Sequence, residues 1–306
     1  MFAILGATGK AGRATVGELR KRGLPVRAVV RDRSKAQDLE ALGCEIAVAD
    51  LRDVRAIAVA VEGAQAVQAI CPISPQMQDP AAEMRIIVDA IRDALAAVRP
   101  AKVVAISDYG AELSAGSGVT LAFHYLEAQL RKTSTALTLL RSSEHMQNWS
   151  RLFKTAAQTG VLPSFHQPLT KLFPMVSAGD VGLIAADILA SADFCEAPRI
   201  VYVEGPHRYN ALDVAATLGH AFGREIVARE LPRSDWIAAL VRGGLSVSYA
   251  GLVAELYDAH NAGLIDVESG VWEIRRGATD FAALSIFRSA ALSQAIGGSG
   301  AHQDEL

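Results

Sequence analysis

At 306 residues and 51% hydrophobic, the chain can bury a large core as one main domain plus a smaller lobe. Its formal net charge is −3 with both signs interspersed, so no footprint for nucleic acid or an anionic membrane surface is expected. Cys44, Cys71 and Cys195 form no CxxC pair, and charges interrupt the apolar stretches before they reach bilayer-spanning length. With no basic n-region ahead of the first apolar run, a cytoplasmic protein is expected, and the terminal Gln303-Asp304-Glu305-Leu306 is read as chance.

Residues 2–5 form a short apolar run, long enough for a buried strand, and residues 10–23 have helical composition. Between and into them fall Gly6, Gly9 and Gly12. Glycine at this spacing permits a tight turn and close backbone approach to a ligand. The unpaired N–H groups and dipole of the following helix then suit a pyrophosphate. The strand–glycine–helix order predicts a dinucleotide site built from Gly6, Thr8, Gly9, Lys10, Ala11 and Gly12.

The next strand is predicted over 26–30, followed by a helix from Ser34 through Leu42 and a third strand over 45–49. A helix over 53–61 leads to a strand over 64–70. Pro72, Pro75 and Pro80 mark a loop before a long amphipathic helix over 81–98. A fifth strand is read over 102–106, a helix over 120–133 and a sixth strand over 136–140. This alternation predicts an α/β fold with a doubly wound parallel sheet, the Rossmann arrangement.

Beyond about residue 142 the alternation loosens. Residues 161–174 carry loop and hairpin chemistry, 177–190 read as a helix and 200–203 as one more strand. From Asn210 the chain is mostly helical, with a β-like stretch over 225–230. The expected organisation is a Rossmann domain over 1–150, completed by about 174–205. A smaller, mostly helical C-terminal lobe takes 151–173 and 206–295, and a disordered tail 296–306. The lobe would form the far wall of a cleft beyond the strand ends.

An NAD site usually carries an acidic residue after the second strand. Here the chain reads Arg31-Asp32-Arg33-Ser34-Lys35, with Arg31 in the acidic residue's place. Arg31, Arg33 and Lys35 suit a ribose 2′-phosphate, so NADP(H) is the expected cofactor. Asp50 and Leu51 follow the third strand, where the adenine edge should lie. Ile70, Cys71 and Pro72 follow the fourth, near the middle of the cofactor, and Ser107-Asp108-Tyr109-Gly110 follows the fifth, near the nicotinamide.

These features together resemble the NmrA-like group of atypical short-chain dehydrogenases/reductases. The likeness rests on Gly6-Ala-Thr-Gly-Lys-Ala-Gly12, the Arg31…Lys35 pair and Ser107-Asp-Tyr-Gly110. It continues in His124-Tyr-Leu-Glu127, Leu137-Thr-Leu-Leu-Arg141 and Glu144-His-Met-Gln-Asn148. The resemblance implies an NADP(H)-binding Rossmann domain with a variable substrate lobe. Some members of the group reduce quinones, azo dyes or plant phenolic ethers, whereas others bind the cofactor without turnover and report redox state to a partner protein.

Hydride transfer to a carbonyl needs a proton donor, which the wider superfamily supplies with a Tyr-x-x-x-Lys pair. Here Tyr125 is followed four residues later by Gln129, which cannot lower a phenol's pKa as an ammonium can. Tyr109, His124 (paired with Glu127 three residues on) and Ser107 are the candidate substitutes, with His145 a cleft-lining candidate. Cys71 lacks a second thiol and is read as a packing residue, and no metal-ligand spacing occurs. Trp149, Phe153, Phe165, Phe173, Trp236, Tyr249 and Tyr257 offer aromatic surface in the lobe, most of it ordinary core. The expected activity is NADPH-dependent reduction of a small aromatic or quinone-like substrate, whose reduced form is a comparatively weak base and demands little protein acid. The alternative is a non-catalytic NADP(H)-sensing regulator. Monomer and homodimer are both compatible with the sequence.

Overall fold

Segments of a dozen or more residues separate the early strands, which forces crossovers and parallel pairing. The structure, a computed structural model, describes residues 1–133, 136–193, 198–271 and 273–284. In chain order the first half runs β1 (Phe2–Leu5), α1 (Lys10–Lys21), β2 (Val26–Val30), α2 (Gln37–Ala41), β3 (Glu45–Val48), α3 (Val54–Val61) and β4 (Ala66–Ile70). It continues with α4 (Pro80–Val98), β5 (Lys102–Asp108), α5 (Thr120–Leu130) and β6 (Ala136–Ser142). The second half contains β7 (Glu144–His145), α6 (Ser150–Thr159), β8 (Val161–Ser164), β9 (Met175–Val176), α7 (Ala178–Ala190) and β10 (Arg199–Glu204). It closes with α8 (Ala211–Phe222), β11 (Val227–Glu230), α9 (Trp236–Arg242), α10 (Val247–Asn261) and β12 (Ile274–Arg276).

Eight strands form one sheet in the order β12-β10-β6-β5-β4-β1-β2-β3, every neighbouring pair parallel. The doubly wound fold expected from the sequence is therefore present. Strand order reverses between β1 and β4, where Ile4 pairs with Ala28 on one side and Gln68 on the other. Such a switch point opens a crevice at the carboxyl ends of the strands. Helices cover both faces, so β1 is apolar on each side, and β4 and β5 are largely so, with Gln68, Lys102 and Ser107 their buried polar residues. One core packs Ile4, Val16, Ile106 and Val181, and the other packs Leu5, Ile57, Val67, Ile91 and Leu126. Helices α1 and α7 meet where Gly182 lies against Ala11; a Cβ there would sit 2.2 Å from the Ala11 carbonyl oxygen.

Several local expectations need correction. Ser34 does not cap a helix: the Asp32 carboxylate accepts from the Ser34 N–H and hydroxyl, at 3.0 and 2.7 Å, and caps a short 3₁₀ turn over Arg33–Lys35. The stretch 161–174 forms no hairpin. Its strand β8 pairs in parallel with distant β11, Leu162 opposite Ala228, and Pro163 is tolerated in this two-stranded edge. Strand β12, within the span read as lobe, instead extends the main sheet beside β10, with Ile274 opposite Tyr202. Three residues reading Ile-Arg-Arg carry no apolar run to reveal it.

The remaining elements gather around a third core containing Trp149, Phe153, Phe165, Phe173, Trp236 and Phe281. Trp149, Phe153, Phe165, Phe173 and Trp236 are packing residues, in line with the reading of most lobe aromatics as core. The tail expected over 296–306 and Cys195 lie outside the described residues. Among the described residues no helix is long and apolar enough to cross a membrane.

Candidate active site

The glycine loop owes its shape to steric limits at two positions. Gly6 has φ +67°, and a Cβ there would come within 2.7 Å of Ile70 Cγ2. At Gly12 a Cβ would lie 2.3 Å from the Gly6 carbonyl oxygen, so only glycine lets α1 start this close to the turn. The Gly9 N–H donates to Gly6 O at 2.9 Å, and the Arg13 N–H to Gly9 O at 2.8 Å. Between them the N–H groups of Lys10, Ala11 and Gly12 have no acceptor among the described residues, and no side chain caps the helix. Three orphan donors at a helix N-terminus are a fitting cradle for a pyrophosphate.

Two joined chambers lie over the carboxyl ends of the strands. The first, about 350 Å³, is lined by Gly6, Thr8, Gly9, Arg31, Asp50 and Leu51, among others. The second, about 370 Å³, is lined on its sheet side by Cys71, Ser107, Asp108, Tyr109 and His145. Ile70, Pro72 and Ile73 border both. The far wall comes from Asn148 and, beyond residue 150, from Arg151, Tyr249, Val253, Tyr257 and His260. Gly118 makes that wall possible: its φ is +56°, and a Cβ would sit 2.0 Å from Leu252 O, so α10 rests directly on the start of α5. The Ser246 N–H donates to Pro75 O at 2.8 Å, tying the loop after β4 to the lobe.

In the first chamber Arg31 is exposed and has no hydrogen-bond partner among the described residues. Asp32 and Asp50 lie within its electrostatic reach, but each is engaged elsewhere. Asp50 accepts from the Arg52 guanidinium at 2.7 Å, a contact that holds its carboxyl below the usual range. Neither Arg33 nor Lys35 lines the chamber: Arg33 pairs with Glu40 at 2.6 Å, and the Lys35 carbonyl accepts from Arg13 at 3.1 Å. The structure thus brings only Arg31 of the three expected cations to the cavity. Arg52, Ser74 and Glu83 also line it and were not foreseen. Lys10, Ala11 and Gly12 belong to the first turn of α1, Lys10 exposed and near enough to repel a charge on His145.

In the second chamber the expected proton donors are committed. Tyr109 is 2% exposed, and its hydroxyl donates to Glu204 at 3.0 Å. Burial and that carboxylate push its pKa far above the ordinary phenol value, so it is a poor acid. The Ser107 hydroxyl donates to Glu127 at 2.6 Å. His124 makes no pair with Glu127: its Nδ1 meets the Ala111 carbonyl at 2.8 Å, while Glu127 is buried against Arg141. His124 does not line the cavity. Tyr125 and Gln129 face α4 instead, bonding to Asp89 at 2.9 Å and Arg92 at 2.8 Å. Burial raises the Cys71 thiol to about 12, consistent with a packing role.

Of the other groups there, Glu144 and His260 escaped sequence reasoning, whereas the sequence already places His145 and Asp108 at the cleft. Glu144 accepts from Tyr257 at 3.1 Å and contacts His166 Nε2 at 2.8 Å. Burial opposes its charge, but His166, His260 and the Tyr257 hydroxyl together outweigh it and keep the carboxyl below its usual range. Burial also lowers His260 to about 3 and His145 to about 4, leaving both imidazoles neutral. Asp108 moves the opposite way, to about 7, because loss of hydration outweighs the Thr120 hydroxyl and Tyr109 backbone hydrogen bonds. The Glu144-His145 dipeptide stood within a resembled motif, but nothing local marked its partners.

The NmrA-like family model matches residues 1–267, and the chain belongs to that family. It is 26% identical over 264 residues to the NAD(P)H azoreductase of Xenophilus azovorans, covering 84% of this chain and 86% of that one. It is 27% identical over 283 residues to quinone oxidoreductase 2 of Escherichia coli K12, covering 87% and 90% respectively. A solved triphenylmethane reductase of Citrobacter sp., complexed with NADP(H), superposes with TM-score 0.78 at 18% identity over 95% of this chain and all of that one. That likeness supports the fold.

Proposed function

We propose that the chain is an NADPH-dependent reductase of a small planar aromatic or quinone-like acceptor. The observation that carries this reading is the two-chambered cleft, with orphan N–H donors and free Arg31 at one end and an aromatic lobe wall at the other. Gly6, Gly9 and the N–H groups of residues 10–12 would hold the pyrophosphate, and Arg31 the 2′-phosphate. Ile70, Pro72 and Ile73, which border both chambers, would hold the nicotinamide half. NADPH supplies a hydride equivalent to an acceptor seated in the second chamber.

Each chain residue has a separate task in this scheme. Ser107, donating to Glu127, keeps its oxygen lone pairs available to accept from an amide or ribose hydroxyl. Tyr249, Val253 and Tyr257 flank an aromatic acceptor and reduce its contact with water. The reductases among the relatives described above support the activity class.

Steady-state NADPH oxidation against a panel of quinones and azo dyes tests the reading. Turnover well above the buffer rate is expected. Tight NADPH binding with no turnover on any acceptor would replace it with the cofactor-sensing reading, which the engaged hydroxyls of Tyr109 and Ser107 favour.

A further inference from the structure

Of the two carboxyls among the described residues lining the second chamber, Asp108 is the one with no ionisable side chain bonded to it. Tyr109 is bound to Glu204, Ser107 to Glu127, and Glu144 lies between His166 and Tyr257. Asp108, the last residue of β5, lines the same cavity beside Cys71, Ser107 and His145. Its carboxyl accepts from the Thr120 hydroxyl, 2.7 Å from Oδ2, and also from the Tyr109 backbone N–H. Thr120 opens α5 just after Gly118, the residue that seats α10, so the contact also fixes Asp108 relative to the lobe wall.

We propose that Asp108 is the catalytic proton donor to the reduced acceptor, oriented by Thr120. The proposal rests on the reductase reading above. In the reaction the acceptor carbonyl gains two electrons and one hydrogen as hydride from the reduced nicotinamide. Asp108 then transfers the proton of its carboxyl group to the resulting oxyanion. The O–H bond of Asp108 breaks, the O–H bond of the product forms, and solvent water returns a proton to Asp108 after product release.

The surroundings suit that task. Glu144 on β7 and Glu112 beyond β5 both disfavour a negative Asp108, and Tyr249 of α10 also lies within its electrostatic reach. Loss of hydration is the larger effect and, with them, brings the carboxyl to about 7, where protonated and ionised forms coexist at neutral pH. Neutral His145 and His260 add no positive charge, and Arg151 is the cation lining the chamber's lobe wall. A carboxylic acid suffices for a quinone, whose reduced oxygen is a weaker base than an alkoxide.

The test compares two acceptors that differ in proton demand. A quinone needs hydride and a proton, whereas a cationic triphenylmethane dye becomes neutral on taking hydride alone. Asp108→Asn should lower kcat for the quinone about a hundredfold at pH 7, at the lower end of general-acid effects. Its kcat for the dye should fall by less than about threefold, roughly 0.7 kcal/mol, because that reduction takes up no proton. Wild-type quinone turnover should fall as pH rises through about 7, and Asp108→Asn should lack that fall. Thr120→Val removes a bond to the charged form and should move the midpoint upward. Carbon-13 NMR of the aspartate-labelled, cofactor-free protein should show one carboxyl titrating near pH 7 that Asp108→Asn removes. Equal loss with both acceptors, or an Asp108 carboxyl ionised throughout that range, would overturn the donor role while leaving the reductase reading intact. Absence of turnover by the wild type with any acceptor would overturn both.

Discussion

Glu127 and Arg141 form a two-point ion pair beneath the cleft, with Nε–Oε1 at 2.9 Å and Nη2–Oε2 at 2.8 Å. Their side chains are 4% and 2% exposed. Arg141 also reaches Glu112 and Glu268, at 2.9 and 2.8 Å, and so joins β6 to segments after β5 and after α10. Removing the cation would leave buried Glu127 with only the longer 3.7 Å contact to Arg131 as an ion pair among the described residues. Arg141→Met should therefore reduce unfolding free energy by about 3–5 kcal/mol. Urea denaturation measures it, and an additional Glu127→Met change should recover part of the loss.

Arg31→Ala tests cofactor choice. Arg31 lines the first chamber without a hydrogen-bond partner among the described residues, so its replacement disturbs little internal structure. A charge-assisted hydrogen bond contributes about 1.5–3 kcal/mol. The NADPH dissociation constant should rise about ten- to a hundredfold while that for NADH stays nearly unchanged. Fluorescence titration with both cofactors checks this, and equal losses would remove the 2′-phosphate assignment.

Gly12→Ala and Gly17→Ala form a matched pair within α1. At Gly12 the new methyl meets the Gly6 carbonyl oxygen, whereas at Gly17 nothing lies within 4 Å. Gly12→Ala should weaken NADPH binding and lower stability by about 1–3 kcal/mol through forced backbone movement. Gly17→Ala should stabilise by about 0.5–1 kcal/mol through helix propensity, with cofactor affinity unchanged. Thermal melts and binding titrations of the two variants separate the steric from the conformational effect.

Histidines 145 and 260 make the fold sensitive to acid. Burial holds their pKa values at about 4 and about 3, below the ordinary histidine value of 6.5. The unfolded chain binds more protons at these sites between those limits, so their contribution is complete above about pH 6.5 and is lost as pH falls toward 4 and 3. Asp108, raised to about 7 from 3.8, opposes this trend over part of the range. His260→Asn should flatten the decline in urea midpoint between pH 6.5 and 4. A slope equal to that of the wild type would show that His260 is not a source of it.

The sequence by itself determined the strand–glycine–helix opening, the order of the first six strands and the NmrA-like resemblance. Those features depend on apolar periodicity, on glycine where a Cβ cannot fit, and on connection lengths that force parallel crossovers. Only the tertiary structure decided which side chains are available for chemistry. Tyr109 meets Glu204 across 95 positions of sequence, and His166 meets Glu144 across 22. Arg33 is drawn to Glu40 while Arg31, two residues earlier, faces the chamber. Asp108 stood in the quoted Ser107–Gly110 motif, yet its altered acidity comes from hydration lost beneath a lobe wall contributed by α10. Periodicity reports the face a residue turns to its own element, whereas pKa and hydrogen bonding depend on what packing places opposite it.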